Sequence, residues 1–429
     1  MRGININLFL FCFVCAGYGQ SRMDNVQFFS SALNAERSIY VYLPNGYDPA
    51  NDSLRYPVIY FLHGAGFDPF LFMLFASLAK GYLDDFINQQ IIIPVIVVMP
   101  DGTAPPYRGS FYTNSELYGN FEDYIVEDLT EFIDQNYHTA ATREKRFIMG
   151  HSMGGFGAMK LAIKHPEVYR GVAAHSGPLD LSQVRNLIPE VLSENGGTPP
   201  YSYSPSAGTF TAFGFTMAGA FSPNLNRPPY YVDFPLDSSG GIVDSVFSKW
   251  LHHSPATLAG QLSTGSDLAI YFDCGTEDEL MLYPFNTAFA DSLVRLGLAF
   301  EFRSYSGDHT SQLPSRVGIS LAYIDSAMKA SPVAVVEPNS PPQTITLYQN
   351  YPNPFNPSTT IAFSLPYSAE VTLSIYNGLG QKVESLVEER LPAGDYHYDW
   401  HPSELASGVY VYRMQAGGFV HTKKLLLLR

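Results

Sequence analysis

Three short segments carry side chains whose chemistry fits together. Gly150-His151-Ser152-Met153-Gly154-Gly155 places a serine between glycines two residues before and two after. Asp273-Cys274-Gly275-Thr276-Glu277-Asp278 holds three carboxylates, and Ser306-Gly307-Asp308-His309-Thr310 holds a histidine. A serine hydroxyl attacks poorly at neutral pH, so it needs a base in hydrogen-bond contact and a third group to orient that base. Attack on an acyl carbon also builds an oxyanion, which two preorganised N–H donors must meet. Ser152 as nucleophile, His309 as base and an acid of the 273–278 segment would satisfy the first demand. The amide of Met153 and one from His63-Gly64-Ala65-Gly66-Phe67 would satisfy the second, Ala65 being the preferred donor with Gly64 and Gly66 as alternatives. This chemistry needs no metal or other cofactor.

The elements around these segments suit that use. Ser152 follows the apolar run Arg146-Phe147-Ile148-Met149 and opens onto a helical stretch from Phe156 to Ile163, so G-x-S-x-G stands at a strand-to-helix turn, the nucleophile elbow of an α/β-hydrolase. Val58 to Leu62, Ile91 to Met99, Gly171 to His175, Leu268 to Asp273 and Phe300 to Tyr305 read as further buried strands, with Val26 to Pro44 an antiparallel pair. Helices are expected over Phe121 to Tyr137, Phe285 to Gly297 and Arg316 to Ala330. Strands alternating with helices make a mainly parallel sheet covered on both faces. In this fold nucleophile, acid and histidine follow in that chain order after successive strands, the order seen here. Asp278 is preferred as the acid because Asp273 still belongs to its strand and Glu277 should point the other way. His309 is preferred as the base: His63 and His151 flank the oxyanion loop and the nucleophile, His138 and His165 fall at helix ends, and His175 ends a strand near the site.

One segment breaks the alternation. Residues 184–260 are rich in Pro, Gly, Ser and aromatics, too long for a structureless loop, and read as a lid-like insertion over the carboxyl ends of the strands. A substrate cleft of His63, His151, Phe67, Tyr230 and Trp250 follows from that placement. The net charge of −15 argues against a nucleic-acid partner, which needs clustered Lys and Arg. Residues 1–19 read as a secretory signal peptide, with Arg2 before a short apolar run and a small-x-small cleavage site; no later stretch reads as a transmembrane anchor. Removal of that signal leaves Cys274 as the only cysteine. The unit of residues 20–330 is followed by a Pro-rich linker, 331–343, and by short strands with regular turns over 344–429 that read as a small all-β sandwich.

Residues from about 26 to 330 resemble the esterase D family (carbohydrate esterase family 1-like), which holds feruloyl and acetyl-xylan esterases, S-formylglutathione hydrolases and mycolyltransferases. The resemblance rests on Tyr42-Leu43-Pro44, Leu62-His63-Gly64, Met99-Pro100-Asp101-Gly102, Phe121-Glu122-Asp123-Tyr124-Ile125, Gly150 to Gly155, Asp273 to Asp278 and Gly307-Asp308-His309. It implies Ser152, Asp278 and His309 as a triad. The tail is similar to the C-terminal sorting domain of type IX secretion, through Tyr348 to Pro357, Ile375-Tyr376-Asn377, Gly380-Gln381, Ser407-Gly408-Val409-Tyr410 and Lys423-Lys424. That likeness implies an Ig-like sandwich, recognition by the outer-membrane export machinery, and a secreted or cell-surface product. The expectation is a secreted serine carboxylesterase acting on feruloyl or acetyl esters of polysaccharides. A polyester hydrolase (PET-like or polyhydroxyalkanoate) and an acyltransferase with the same triad stand as alternatives. A non-catalytic binding protein would be expected to lack a triad member, and none is missing.

Overall fold

The computed structural model describes residues 20–329 and 345–428, apart from 52, 68, 205, 349, 351, 352, 354, 393, 403 and 404; the signal peptide and linker expected from the sequence lie outside the described residues. The chain divides into two compact units, residues 1–332 and 333–429.

The first unit is built on eight strands: β1 (Arg22–Ser30), β2 (Ala35–Leu43), β3 (Val58–Leu62), β4 (Ile96–Pro100), β5 (Arg146–His151), β6 (Gly171–His175), β7 (Ala269–Gly275) and β8 (Glu301–Tyr305). They lie in the order β1-β2-β4-β3-β5-β6-β7-β8. β1, β2 and β4 pair antiparallel, and every other neighbour pairs parallel. The central strands read as unbroken apolar runs because both faces are covered. Val58, Tyr60 and Leu62 of β3 face one core cluster, while Ile59 and Phe61 face another on the opposite side. Each such side chain, fully buried, contributes about 1.5–3 kcal/mol.

The helices of this unit include α1 (Pro69–Asn88), α2 (Leu129–Asn136), α3 (Met153–Lys164), α4 (Ile188–Glu194), α5 (Thr209–Phe221), α6 (Asp244–Leu251), α7 (Tyr283–Leu296) and α8 (Leu313–Lys329). α2 is entered through a π-helical turn, Tyr124–Asp128, so the helix expected there changes pitch midway. The strand expected over 91–99 starts only at Ile96, beyond Pro94; Ile92 instead packs with α1 and α8, and the Ile93 N–H donates to Asp325 (3.0 Å). α1 has no counterpart in the sequence reading. Its inner face buries Phe72, Ala76, Leu83 and Phe86, but Phe70, Leu74 and Leu78 on the outside are apolar too, which erases the helical period.

Residues 184–260 form a largely helical insertion containing α4, α5 and α6. α5 is buried along most of its length. The second unit consists of antiparallel strands in two sheets, one of three strands and one of four, around Phe363, Ile375, Trp400 and Tyr412. Trp400 fills that core and donates its indole N–H to Glu384 (2.7 Å).

Candidate active site

The register of the sheet brings the three segments together. Leu62 pairs with Gly150, His151 with His175, and His175 with Asp273, so the carboxyl ends of β3, β5, β6 and β7 lie in a row, with β8 beside β7. Ser152 sits between β5 and α3 at φ 58°, ψ −121°, a conformation that non-glycine residues rarely hold. Its surroundings fix it there: its N–H donates to the His175 carbonyl (2.8 Å), and its own carbonyl accepts from Phe156 (3.0 Å). The glycines answer to sterics. A Cβ at Gly154 would collide with the Leu62 carbonyl, and one at Gly150 with the Gly154 backbone.

His309, beyond β8, places Nδ1 2.8 Å from Oδ2 of Asp278, and both residues are buried. Asp278 also accepts from the Leu280 amide (2.9 Å) and from the Cys274 thiol (3.6 Å). Because the carboxylate accepts a hydrogen bond from Nδ1–H, Nε2 is left with its lone pair, the tautomer a base requires. The histidine is held by its backbone as well: its N–H donates to Glu279 (2.9 Å), and its carbonyl accepts from His151 Nε2 (2.9 Å). Burial, then the neighbouring His309, pull the His151 imidazole down to about 3, so it stays neutral and serves as a donor.

Ser152 and His309 line one cavity of about 320 Å3. Its walls include His63, Gly64, Ala65, Phe67 and His151, together with Phe61, Phe75, Arg108, Phe210, Phe213 and Leu313. The Met153 amide, at the first turn of α3, has no acceptor among the described residues, and neither do the amides of Ala65 and Gly64. The Gly66 amide is spent on the Arg108 carbonyl (2.7 Å), which removes it from the oxyanion donors expected from the sequence. His63 braces this loop. Its Nδ1 donates to the Gly64 carbonyl (2.7 Å), its Nε2 accepts from the Gly102 amide (2.8 Å), and burial keeps its pKa below the ordinary value.

Two cleft residues expected from the sequence lie elsewhere. Trp250 is buried inside the insertion with its indole N–H on Ser222 Oγ (2.8 Å), and Tyr230 packs against Phe215. Neither lines the Ser152 cavity, because the face of α5 turned to it carries Phe210 and Phe213 instead. His175 does not line it either: Nδ1 is bonded to Asp273 (2.9 Å) and Nε2 to Ser320 Oγ (3.0 Å). Asp273 is occupied further by Arg316 (2.8 Å) and the Tyr271 hydroxyl (2.9 Å), and Glu277 turns to Ser306 (2.9 Å). Sequence reasoning missed Arg108, Phe61 and Phe75 as wall residues and Glu279 as a support. Arg108 lies in an aperiodic loop, and Glu279 is one acid among several; neither carries a spacing that marks it.

The family model for Esterase matches residues 30–310, and that for a secretion system C-terminal sorting domain matches residues 349–428. Esterase MT1326 of Mycobacterium tuberculosis is 33% identical over 192 residues, covering 41% of this chain and 38% of that protein. An endo-1,4-beta-xylanase/feruloyl esterase of Xylanibacter ruminicola is 31% identical over 152 residues, covering 34% of this chain and 20% of that protein. The chain thus spans well under half the length of these curated relatives. Among solved structures, a ferulic acid esterase superposes with a TM-score of 0.52 at 19% identity, over 72% of this chain and 99% of its own, a likeness of fold. With residues 30–310 matched and the elbow in place, the chain belongs to the esterase family and carries a C-terminal sorting domain for secretion or surface export.

Proposed function

We propose that the protein is an exported serine hydrolase of carboxylic esters, with Ser152 as nucleophile, His309 as general base and acid, and Asp278 orienting His309. The observation that carries the reading is the His309–Asp278 pair together with the one cavity that His309 and Ser152 both line. Ser152 Oγ attacks the ester carbonyl and gives its proton to His309 Nε2. The amide of Met153, with that of Ala65 or Gly64, holds the oxyanion. Collapse of the tetrahedral intermediate expels the alcohol, which takes the proton from His309. Water then repeats the sequence on the acyl-enzyme, again with His309 as base.

For the acyl group we favour a compact aromatic one, of the feruloyl kind. Phe61, Phe67, Phe75, Phe210 and Phe213 line the cavity, and the Xylanibacter ruminicola relative bears that activity in its name. The sorting domain gives the type IX secretion machinery as the partner in export. A panel of p-nitrophenyl acetate, methyl ferulate, acetylated xylan and a polyester film, run on the wild type and on Ser152→Ala, tests the reading. Turnover surviving in Ser152→Ala would overturn the mechanism, and a wild type slower on methyl ferulate than on every other ester would overturn the acyl assignment.

A further inference from the structure

A second cavity, of about 30 Å3, lies within the insertion, and Phe210 and Phe213 belong to the walls of both it and the Ser152 cavity. The two residues are three apart on α5, so their rings share one face of the helix. Behind them stand Leu187, Val191, Met217 and Trp250, all buried. The one charged residue among the lining is Arg185, whose guanidinium lies over the Phe247 ring (4.5 Å) and pairs with Asp244 (3.6 Å). A space so small and apolar offers a water no hydrogen-bond partners, and its walls forgo dispersion contacts that a methylene would restore.

The chemistry decides which part of an ester would reach it. The acyl group stays on Ser152 through both halves of the reaction, whereas the alcohol must leave and water must enter. An apolar end with no polar partner to offer therefore suits the acyl tail, and the side by which water enters suits the alcohol. We propose that Phe210 and Phe213 form the partition that sets acyl length, and that the cavity behind them is an apolar subsite for a straight acyl chain, closed off by these rings. In the wild type, compact acyl groups fill the space in front of the partition and long chains are turned away.

The inference rests on the serine-esterase reading and is tested by kcat/KM for p-nitrophenyl esters from acetyl to dodecanoyl. Phe213→Ala should raise the decanoyl-to-butyryl ratio by roughly 10- to 100-fold, the worth of one or two further methylenes held in an apolar pocket. Phe213→Ala/Val191→Phe refills the space from behind and should return the ratio to that of the wild type. If Phe213→Ala does not fold, Phe213→Leu is expected to give a smaller shift in the same direction. An unchanged ratio in a folded, active variant overturns the partition, as does a gain that persists in the double variant. Acetates of lengthening alcohols should show no shift; a shift there, in place of the acyl series, overturns the acyl assignment. Activity retained by Ser152→Ala would instead remove the underlying mechanism, so the two failures are told apart.

Discussion

Among its described residues the catalytic unit contains two buried histidine–aspartate pairs, at the ends of neighbouring strands and with nearly the same geometry. Nδ1 to Oδ2 is 2.8 Å in His309–Asp278 and 2.9 Å in His175–Asp273. What separates them is the other side of each residue. His175 has its Nε2 on Ser320, and Asp273 is shared with Arg316 and Tyr271, so every strong site of that pair but one carboxylate oxygen is bonded. His309 is tied through its backbone, by Glu279 and His151; its second nitrogen has no hydrogen-bond partner among the described residues, and the residue lines the Ser152 cavity. A carboxylate beside an imidazole is therefore not in itself a general base. The role also requires an outer nitrogen without a protein partner, a condition that among the described residues His309 meets and His175 does not.

Substituting the two acids separates these roles most widely. Asp278→Asn should leave the fold intact and lower kcat by about 10³- to 10⁴-fold, because His309 loses the group that sets its tautomer. Ser152→Ala should lower it at least as far. Both are read from p-nitrophenyl acetate turnover beside the circular dichroism melt. Asp273→Asn should do the reverse, since it strands the buried guanidinium of Arg316; breaking such a pair costs about 3–5 kcal/mol of stability. The fraction that still folds is expected to keep its kcat within about tenfold, that is, within about 1.4 kcal/mol of barrier. Loss of turnover in a fully folded Asp273→Asn protein would mean that the inner pair participates in the reaction.

How much of this was legible depends on whether position in the chain or contact in space decides. The placement of Ser152, Asp278 and His309 beyond successive strands, and the meeting of the last two, were readable because each follows a strand and the order is fixed by topology. The choice of Asp278 over Asp273 was also readable: Asp273 is still within β7, where the sheet's pleat aims its side chain at α8 and Arg316. The cleft was not readable. Tyr230 and Trp250 look like Phe210 and Phe213 in the sequence, and only the rotation of α5 turns the latter two toward Ser152. α1 escaped for a related reason, since a helix apolar inside and out shows no period. The Gly66 amide, adjacent to the preferred donor, was lost to a carbonyl 42 residues away in sequence, at Arg108.

A third histidine–carboxylate pair sharpens the comparison at intermediate effect. His165 Nε2 lies 3.0 Å from Glu122, which also meets the buried Lys160 (3.2 Å) and Lys164. Burial pushes the Glu122 carboxyl up, but His165, Lys160 and Lys164 outweigh it and hold it well below the ordinary 4.5. The hydrogen bond to Glu122 in turn raises His165 above the ordinary 6.5, against burial. The signs are opposite. Stability from the depressed carboxyl is present above pH 4.5 and lost as the pH falls through its folded value. Stability from the raised imidazole is present below pH 6.5 and lost as the pH rises through its folded value. Glu122→Gln should cost about 3–5 kcal/mol near pH 5.5, because Lys160 is left buried without its counter-ion. The difference in Tm between wild type and variant should shrink toward pH 3; a difference constant from pH 3 to 7.5 would mean that the cluster acts by packing alone.

The smallest effect concerns what holds the open pair in place. His151 donates to the His309 carbonyl and, with its pKa near 3, remains a neutral donor across the working range. Its ring lies against that of His309, with centroids 4.6 Å apart. His151→Phe keeps an aromatic ring of similar size and removes only the donor, leaving a buried carbonyl unpaired at a cost of about 1–3 kcal/mol. In the inner pair such a loss would register as stability alone, since nothing there must be aimed. At His309 part of it should appear as a loosened base, with kcat falling about tenfold, or about 1.4 kcal/mol of barrier, and KM little changed. The pH at which kcat rises should not move, because the lost group carries no charge near neutrality. A displaced pH profile would instead assign His151 an electrostatic part in setting the basicity of His309, and the open pair would then be tuned by charge as well as by position.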